Sequence, residues 1–411
     1  MKIVHIAYKY GQSNTGGAAI AATRLHKALL EYGFESHYVC VWKCEDGVNV
    51  HELPRKGFGC RWLFLLMTKI SRGIWRLTSY RKSIFVNVVP LLGLSRVLNK
   101  VNPDIVHLHW INADVMSLGQ LQNLKYNIVV NLHDLYMINA IEPHPRADTR
   151  YISGFSAENS TGLERWMFHR KNNAIKKIRP IFIAPSHWAC TCARNSIIGG
   201  GCKAVAISNL IDEAFHYEPE FQKANADKFV IVFGAYGGRR VESKGFNDLT
   251  KALQRLPLEV KSKCELLVFG EIAEDSIVEG VTTKFQGPIT TVDALIKLYS
   301  SADVFAFPSL YETQGMTKVE AMLCGLPVVA FNRTACAEGI IHRETGWVAK
   351  NGDSQSFATG LKYYFIVKQK YGRDSIHKSV SSKAREMFST RNTMQEIVAT
   401  YKLFSSDKNI I

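Results

Sequence analysis

Glu312 and Glu320 stand eight residues apart in the stretch PSLYETQGMTKVEAMLCGLPVVAFNRTACAEG (308–339), where residue types and spacing suit chemistry best. A strand ends at Pro308-Ser309, and a loop with Glu312 and Gly315 leads into a helix holding Glu320. Ionised carboxylates only accept hydrogen bonds, which suits ribose or hexose hydroxyls. Loop amides and the helix start at Met316 and Thr317 offer donors to an anion or to sugar hydroxyls. Spacing alone leaves capping and surface charge as the other reading.

Positioning such a loop takes a strand before it and a helix after it, and the chain repeats that unit. KIVHIA (2–7), SHYVCVW (36–42), DIVHLHW (104–110), NIVVNLH (127–133) and PIFIAPS (180–186) read as strands. So do KFVIVFGA (228–235), CELLVFG (264–270), DVFAFPS (303–309) and LPVVAF (326–331). AAIAATRLHKALLEYG reads as a helix with Leu25, Leu29 and Tyr32 on one face and Gly33 as its stop. Further helices are expected at 245–255, 291–300, 315–324 and 354–369. Continuous apolar strands alternating with helices mean parallel sheets covered on both faces. The stretch 207–225 lacks a clear period, so one domain is expected over 1–210 and a second over 211–387. A late amphipathic stretch, 388–411, is expected to return to the first domain. Two doubly wound Rossmann-like domains facing a central cleft follow, with ligands at the C-terminal ends of the strands.

Composition excludes several classes. The 411 residues, 46% apolar and 21% charged, fit two globular domains rather than a disordered chain. No apolar run approaches a membrane span, and MKIVHIAYKYG reads as a first strand rather than a signal peptide. Nine scattered Cys without Cys-x-x-Cys read as reduced thiols of a cytoplasmic protein. No Asp-x-Asp occurs, which leaves a metal-bridged diphosphate site unsupported.

The stretch 308–339 resembles the E-x7-E signature of the retaining family-4 glycosyltransferases with the GT-B fold. The family pattern PS…E-x-x-G…E-A-x-x-x-G-x-P-V-V is present in register. GGRRVESKGF (237–246) resembles the family's Arg…Lys-Gly segment, and Gly16-Gly17 its first glycine-rich loop. HLHW (107–110), NLHD (131–134), APSHW (184–188) and NLID (209–212) fall where its motifs stand. The resemblance implies a nucleotide diphosphate sugar as donor substrate, no cofactor and no metal. It implies that Glu312 accepts from sugar hydroxyls, Glu320 holds the ribose, and Arg239 or Arg240 with Lys244 binds the diphosphate and neutralises the leaving group. His133 would face the donor sugar. Gly16, Gly17, Gly315, Met316, Thr317 and Glu338 would line the donor, and His109 and Asp134 the acceptor. Where the nearest relatives continue HD with an aromatic and a Thr-Gly-x-Cys segment, this chain reads LYMINAIEPHP, which leaves acceptor recognition by 135–160 open. The first half would be the acceptor side and the second the donor side.

Charge is split unevenly. Residues 1–210 hold 26 Lys+Arg and 12 Asp+Glu, a net +14, whereas 211–411 hold 25 and 24, a net +1. Residues 55–100 hold ten Lys+Arg and no acid, interleaved with Trp62, Leu63, Phe64, Leu65, Leu66, Met67, Ile70, Ile74 and Trp75. ERWMFHRKNNAIKKIR (164–179) is a second basic stretch. These read either as helices with a solvated basic face or as an interfacial patch for anionic lipid. The second reading places the protein peripherally at the inner face of the plasma membrane, near a lipid-linked or oligosaccharide acceptor of surface polysaccharide synthesis, with no nucleic acid partner. A nucleotide-sugar epimerase or a phosphorylase of the same two-domain fold is the alternative. A nicotinamide dehydrogenase is disfavoured, because the first loop lacks Gly-x-Gly-x-x-Gly and the second strand ends at Trp42-Lys43 without an acid.

Overall fold

The computed structural model describes residues 1–12, 15–54, 60–77, 86–144, 148–223, 227–234 and 237–406. The chain forms two units, Met1–Leu210 with Met394–Ile411, and Ile211–Thr393.

The first unit holds strands β1 (Lys2–Tyr10), β2 (Glu35–Lys43), β3 (Val50–Glu52), β4 (Ile105–Leu108), β5 (Asn127–Asn131), β6 (Ile181–Ala184) and β7 (Ala204–Ala206). They form one parallel sheet in the order β3-β2-β1-β4-β5-β6-β7. Ile3, Ile105, Val129 and Ile183 face one way and meet Leu25 and Leu29 of the helix Gly17–Glu31. Met394, Ile397 and Tyr401 of the helix Thr390–Ser406 complete this layer. Burying each such aliphatic side chain stabilises by roughly 1.5–3 kcal/mol.

The second unit holds β8 (Phe229–Gly234), β9 (Cys264–Phe269), β10 (Ser276–Val278), β11 (Val281–Phe285), β12 (Val304–Phe307), β13 (Val328–Phe331) and β14 (Gly346–Ala349). Their order is β10-β11-β9-β8-β12-β13-β14, parallel except for the β10–β11 hairpin. Alternation along β8 serves both faces. Phe229, Ile231 and Phe233 pack with Leu249, Leu253, Phe357 and Leu361, whereas Val230 and Val232 pack with Val319, Met322 and Val380. In both sheets the chain reverses direction of growth beside the first strand, between β1 and β4 and between β8 and β12. Such switch points are where ligands bind.

Several expectations need correction. Trp110 and His133 lie beyond the strands they were expected to close, because ladder pairing stops at Leu108 and Asn131. Tyr32 does not share the buried face of Leu25 and Leu29. It is the C-cap and half exposed. The basic stretch 164–179 is not a solvated cationic face throughout. Lys171 is fully buried, and Glu164 caps its helix and pairs with Arg150. Arg61, counted in the acid-free stretch, pairs with Glu52 at 3.2 Å and lies over the Trp42 ring. Arg55, Lys56, Arg81 and Lys82 lie outside the described residues. Among the described residues no helix is long and apolar enough to cross a membrane, and the cysteines form no disulfide.

Candidate active site

In the second unit the loops after β8, β9, β12 and β13 carry the charged groups. The loop after β8 makes two short turns, Gly238–Arg240 and Glu242–Lys244. It is tied to the loop after β12 by the Leu310 N–H, which donates to the Ser243 carbonyl at 2.7 Å. Gly245 has φ of 74°, and a Cβ there would come within 2.1 Å of the Pro308 carbonyl oxygen. Only glycine lets the two loops approach so closely, which accounts for the Lys-Gly pair.

That approach sets Lys244 Nζ 2.7 Å from Glu312 Oε1, with both side chains partly buried. The Glu312 backbone is fixed as well. Its N–H donates to Thr334 Oγ1 at 3.1 Å, and its carbonyl accepts from the Ala335 N–H. Gly315, at φ of 81°, starts the helix Met316–Leu323 with no side-chain cap, and a Cβ there would meet the Phe307 ring at 2.6 Å. The amides of Met316 and Thr317 therefore belong to a helix start that no cap closes. Glu320 is 5% exposed, so it is an interior carboxylate rather than surface charge.

Two residues that sequence reasoning passed over hold this set together. Glu271, in the loop after β9, is buried and pairs with Arg239 through its Nε at 2.5 Å and with Arg240 at 3.4 Å. Arg239 also lies over the Phe285 ring, 4.6 Å from its centroid. Lys318, in the helix Met316–Leu323, is fully buried, and its Nζ donates to the carbonyls of Ala335, Cys336 and Glu338 at 3.0, 3.2 and 2.7 Å. Burial pulls its pKa down to about 8. This lysine anchors the loop that carries Glu338. Glu271 had a signal, since it follows its strand as Glu312 follows β12. Lys318 had none.

In the first unit the strand ends carry imidazoles. His109 Nδ1 lies 3.0 Å from His133 Nε2, and His109 Nε2 lies 2.9 Å from His5 Nδ1. Burial depresses all three, His133 to about 4. The Asp134 carboxylate accepts from Trp110 Nε1 and Asn112 Nδ2, each at 2.8 Å, and from the Tyr136 N–H at 2.9 Å. Burial raises its pKa. Hence His109 and Asp134, expected at the acceptor, are committed inside the fold. His109 has both nitrogens occupied, and three donors already cover Asp134. Gly16 and Gly17 open the helix after β1, and a Cβ at either would meet nothing within 4 Å.

A family model described as glycosyl transferases group 1 matches residues 218–373. An uncharacterized glycosyltransferase of Methanocaldococcus jannaschii is 33% identical over 98% of this chain and 98% of its own. The chain belongs to the group 1 glycosyl transferases. The capsular polysaccharide biosynthesis glycosyltransferase CapM of Staphylococcus aureus is 25% identical over 48% of this chain, and the match spans 50% of that relative's length. The crystal structure of HepE from Anabaena, in complex with UDP and glucose, matches with a TM-score of 0.63 at 18% identity, over 97% of this chain and 99% of that one. At that identity the likeness is one of fold. The fold class is GT-B, two parallel-sheet α/β domains of Rossmann type.

For a group 1 transferase the geometry sorts the expected residues by place. In the second unit Lys244 and Glu312 form one ion pair, and Arg239, Arg240 and Glu271 form another cluster. Gly315, Met316, Thr317 and Glu320 share one helix and its start, and Glu338 sits on the loop that Lys318 anchors. In the first unit His109 and His133 are in contact.

Proposed function

We propose that this group 1 glycosyltransferase moves a hexose-type sugar from a nucleotide diphosphate sugar to a lipid-linked or oligosaccharide acceptor in surface polysaccharide synthesis, with retention of configuration. The observation that carries the reading is the Lys244–Glu312 pair at 2.7 Å beside an uncapped helix start. A diphosphate needs fixed cations and amide donors where charge develops on the leaving oxygen. Lys244 and Arg239 supply the first, and the amides of Met316 and Thr317 the second. Glu312 accepts from the sugar hydroxyls and Glu320 from the ribose. As the bond from C1 to the diphosphate oxygen breaks, positive charge spreads over C1 and the ring oxygen. The acceptor hydroxyl then attacks from the face the diphosphate leaves and passes its proton to the departing diphosphate oxygen, which needs neither a protein nucleophile nor a metal. Surface polysaccharide as the destination draws on the likeness to CapM.

Thermal shift with nucleoside diphosphates and their sugars tests the site, because a ligand of the folded state raises the melting temperature. The wild type is expected to shift, and Lys244→Ala and Glu320→Ala to fold yet lose both the shift and sugar transfer. Unchanged transfer in both variants would reject the assignment. Product analysis with and without acceptor separates transfer from epimerisation or phosphorolysis.

The same reading places the enzyme at an anionic membrane surface. In the helix Cys60–Leu77, Trp62, Leu63, Leu66, Met67 and Ile70 are exposed along one stripe, Trp62 to 77%, whereas Phe64 is buried. Lys69, Arg96 and Lys100 are exposed as well. An exposed aromatic and aliphatic stripe with basic residues suits the headgroup region of anionic lipid. Flotation with anionic vesicles is expected to recover the protein, and Trp62→Asp with Leu66→Asp to abolish it. Equal recovery on neutral vesicles at low and high salt would sink the membrane assignment.

A further inference from the structure

Each cation that would meet a diphosphate in the second unit already faces a carboxylate. Lys244 Nζ lies 2.7 Å from Glu312 Oε1, and Arg239 and Arg240 share Glu271. Three positive groups against two negative ones leave a net +1 to meet a ligand with two phosphates. The two pairings differ in what can move.

Around Lys244 and Glu312 the backbone is fixed and the side-chain ends are not. The Leu310 N–H on the Ser243 carbonyl joins the two loops, and Gly245 lets one lie directly against the Pro308 carbonyl of the other. The Glu312 N–H and carbonyl are both bonded, to Thr334 Oγ1 and to the Ala335 N–H. Lys244 and Glu312 therefore stay within reach of each other, while their partly exposed ends can turn to a ligand. Glu271 has no such freedom. Its side chain is 2% exposed, and a Cβ on Gly238 would come within 2.8 Å of its Cγ, so the loop after β8 packs directly on it. It is placed to hold Arg239 with or without a ligand.

In a sugar nucleotide each phosphate has one ionised oxygen. Once the sugar leaves, the terminal phosphate gains a second ionisation with a pKa of about 6, and at neutral pH it is close to doubly charged. Glu312 loses its sugar hydroxyl donors at the same moment. Its carboxylate then stands beside a phosphate of higher charge, and like charges brought together in a partly buried site repel. Carboxylate and phosphate compete for one ammonium group.

We propose that Glu312 is a specificity-determining residue that reclaims Lys244 when the sugar has gone, so that the site releases the nucleoside diphosphate and favours the intact nucleotide sugar. This rests on the glycosyltransferase reading above and adds to it a means of product release. Were Glu312 only an acceptor for sugar hydroxyls, a nucleoside diphosphate would bind equally well without it. Were the pair only structural, both ligands would depend on it alike. Competition for Lys244 alone makes loss of the carboxylate tighten the diphosphate.

Titration calorimetry with UDP, GDP and ADP, and with the corresponding glucose nucleotides, decides between these uses. Glu312→Gln keeps the volume and removes the charge. It is expected to bind the nucleoside diphosphate about tenfold more tightly than the wild type does, and the nucleotide sugar no more tightly. Glu271→Gln removes a charge from the same neighbourhood and is expected to weaken both ligands, because Arg239 loses its anchor. Unchanged or weaker binding of the nucleoside diphosphate by Glu312→Gln would overturn the proposal. So would equal tightening of both ligands in that variant, or the same selective tightening in Glu271→Gln, since any carboxylate removed would then serve. If Glu312→Gln fails to fold, Glu312→Ala removes the same charge and is read in the same way. A wild type that binds none of these probes rejects the glycosyltransferase reading and the proposal with it. One that binds them, while Glu312→Gln fails to tighten the diphosphate, rejects the competition for Lys244 alone.

Discussion

The adjacent arginines of the second unit look equivalent in the sequence and differ in the fold. Arg239 pairs with the buried Glu271 and lies over Phe285, and its side chain is 40% exposed. Arg240 holds Glu271 at 3.4 Å and is 76% exposed. A guanidinium held on two sides loses little freedom when it clamps a diphosphate, whereas a loose one must be ordered on binding. Arg239→Lys removes both the fork and the stack, and is expected to weaken nucleoside diphosphate binding by about tenfold. Arg240→Lys should change it by less than about twofold, by the same reasoning. Titration calorimetry with a diphosphate that shifts the wild type measures both, and equal losses would place the two arginines on the same footing. The carboxylates of 308–339 were legible because the E-x7-E spacing lies in one local segment. Glu271 shared only the place just past its strand, and its worth depends on β9 lying beside β8, a neighbour relation that no local window contains.

Among the elements, each unit uses a buried lysine to fasten a loop. Lys171 Nζ donates to the carbonyls of Tyr136, Asn139 and Ala140, as Lys318 does to those of Ala335, Cys336 and Glu338. Burial depresses both ammonium groups, so three carbonyl dipoles offset a desolvation cost in each case. Lys318→Met keeps the volume and strands three acceptors, and is expected to destabilise the second unit by about 2–4 kcal/mol. Hydrogen exchange of amides 334–339 should rise and donor affinity fall with it. Unaltered exchange there would mean that the loop is held by other bonds, such as that from the Glu312 N–H to Thr334. The central strands were legible because burial on both faces leaves unbroken apolar runs. The strands β3, β7, β10, β11 and β14 were missed, the first three because three residues are too short to show a period, and β11 and β14 because their partly exposed residues break the apolar run. Lys171 and Lys318 could not be told from solvated charge, since only the returning loop makes them structural.

For the whole molecule, titration divides the two units as formal charge does. Burial depresses His5, His26, His107, His109 and His133 in the first unit, His26 and His133 to about 4 and His107 to about 3. In the second unit His377 is the counterpart, at about 3, while His342 is lowered less and lies near the surface. His216 is raised by hydrogen bonds to the Ala214 carbonyl and Glu218. A base with a depressed folded pKa stays neutral in the native state while the unfolded chain takes up a proton near pH 6.5. Its stabilising contribution is thus present above pH 6.5 and is lost as pH falls toward the folded value. Five such groups make the first unit's stability fall by about 7 kcal/mol per pH unit once the unfolded histidines are fully charged, at about 1.4 kcal/mol per proton. Asp134, raised by burial, takes up its proton more readily in the folded state than in the unfolded chain and so opposes this. His216 works the other way in the second unit, adding stability below pH 6.5 that is lost as pH rises through its folded pKa. Acidification from pH 7.5 to 5.5 should therefore loosen the first unit well before the second. Hydrogen exchange, corrected for intrinsic rates, reads this as opening free energies of β1 and β4 amides against those of β8 and β12. His5→Asn, which removes one of the five, should shallow the first unit's slope by about one proton. Parallel losses in the two units would mean that these histidines do not govern acid stability.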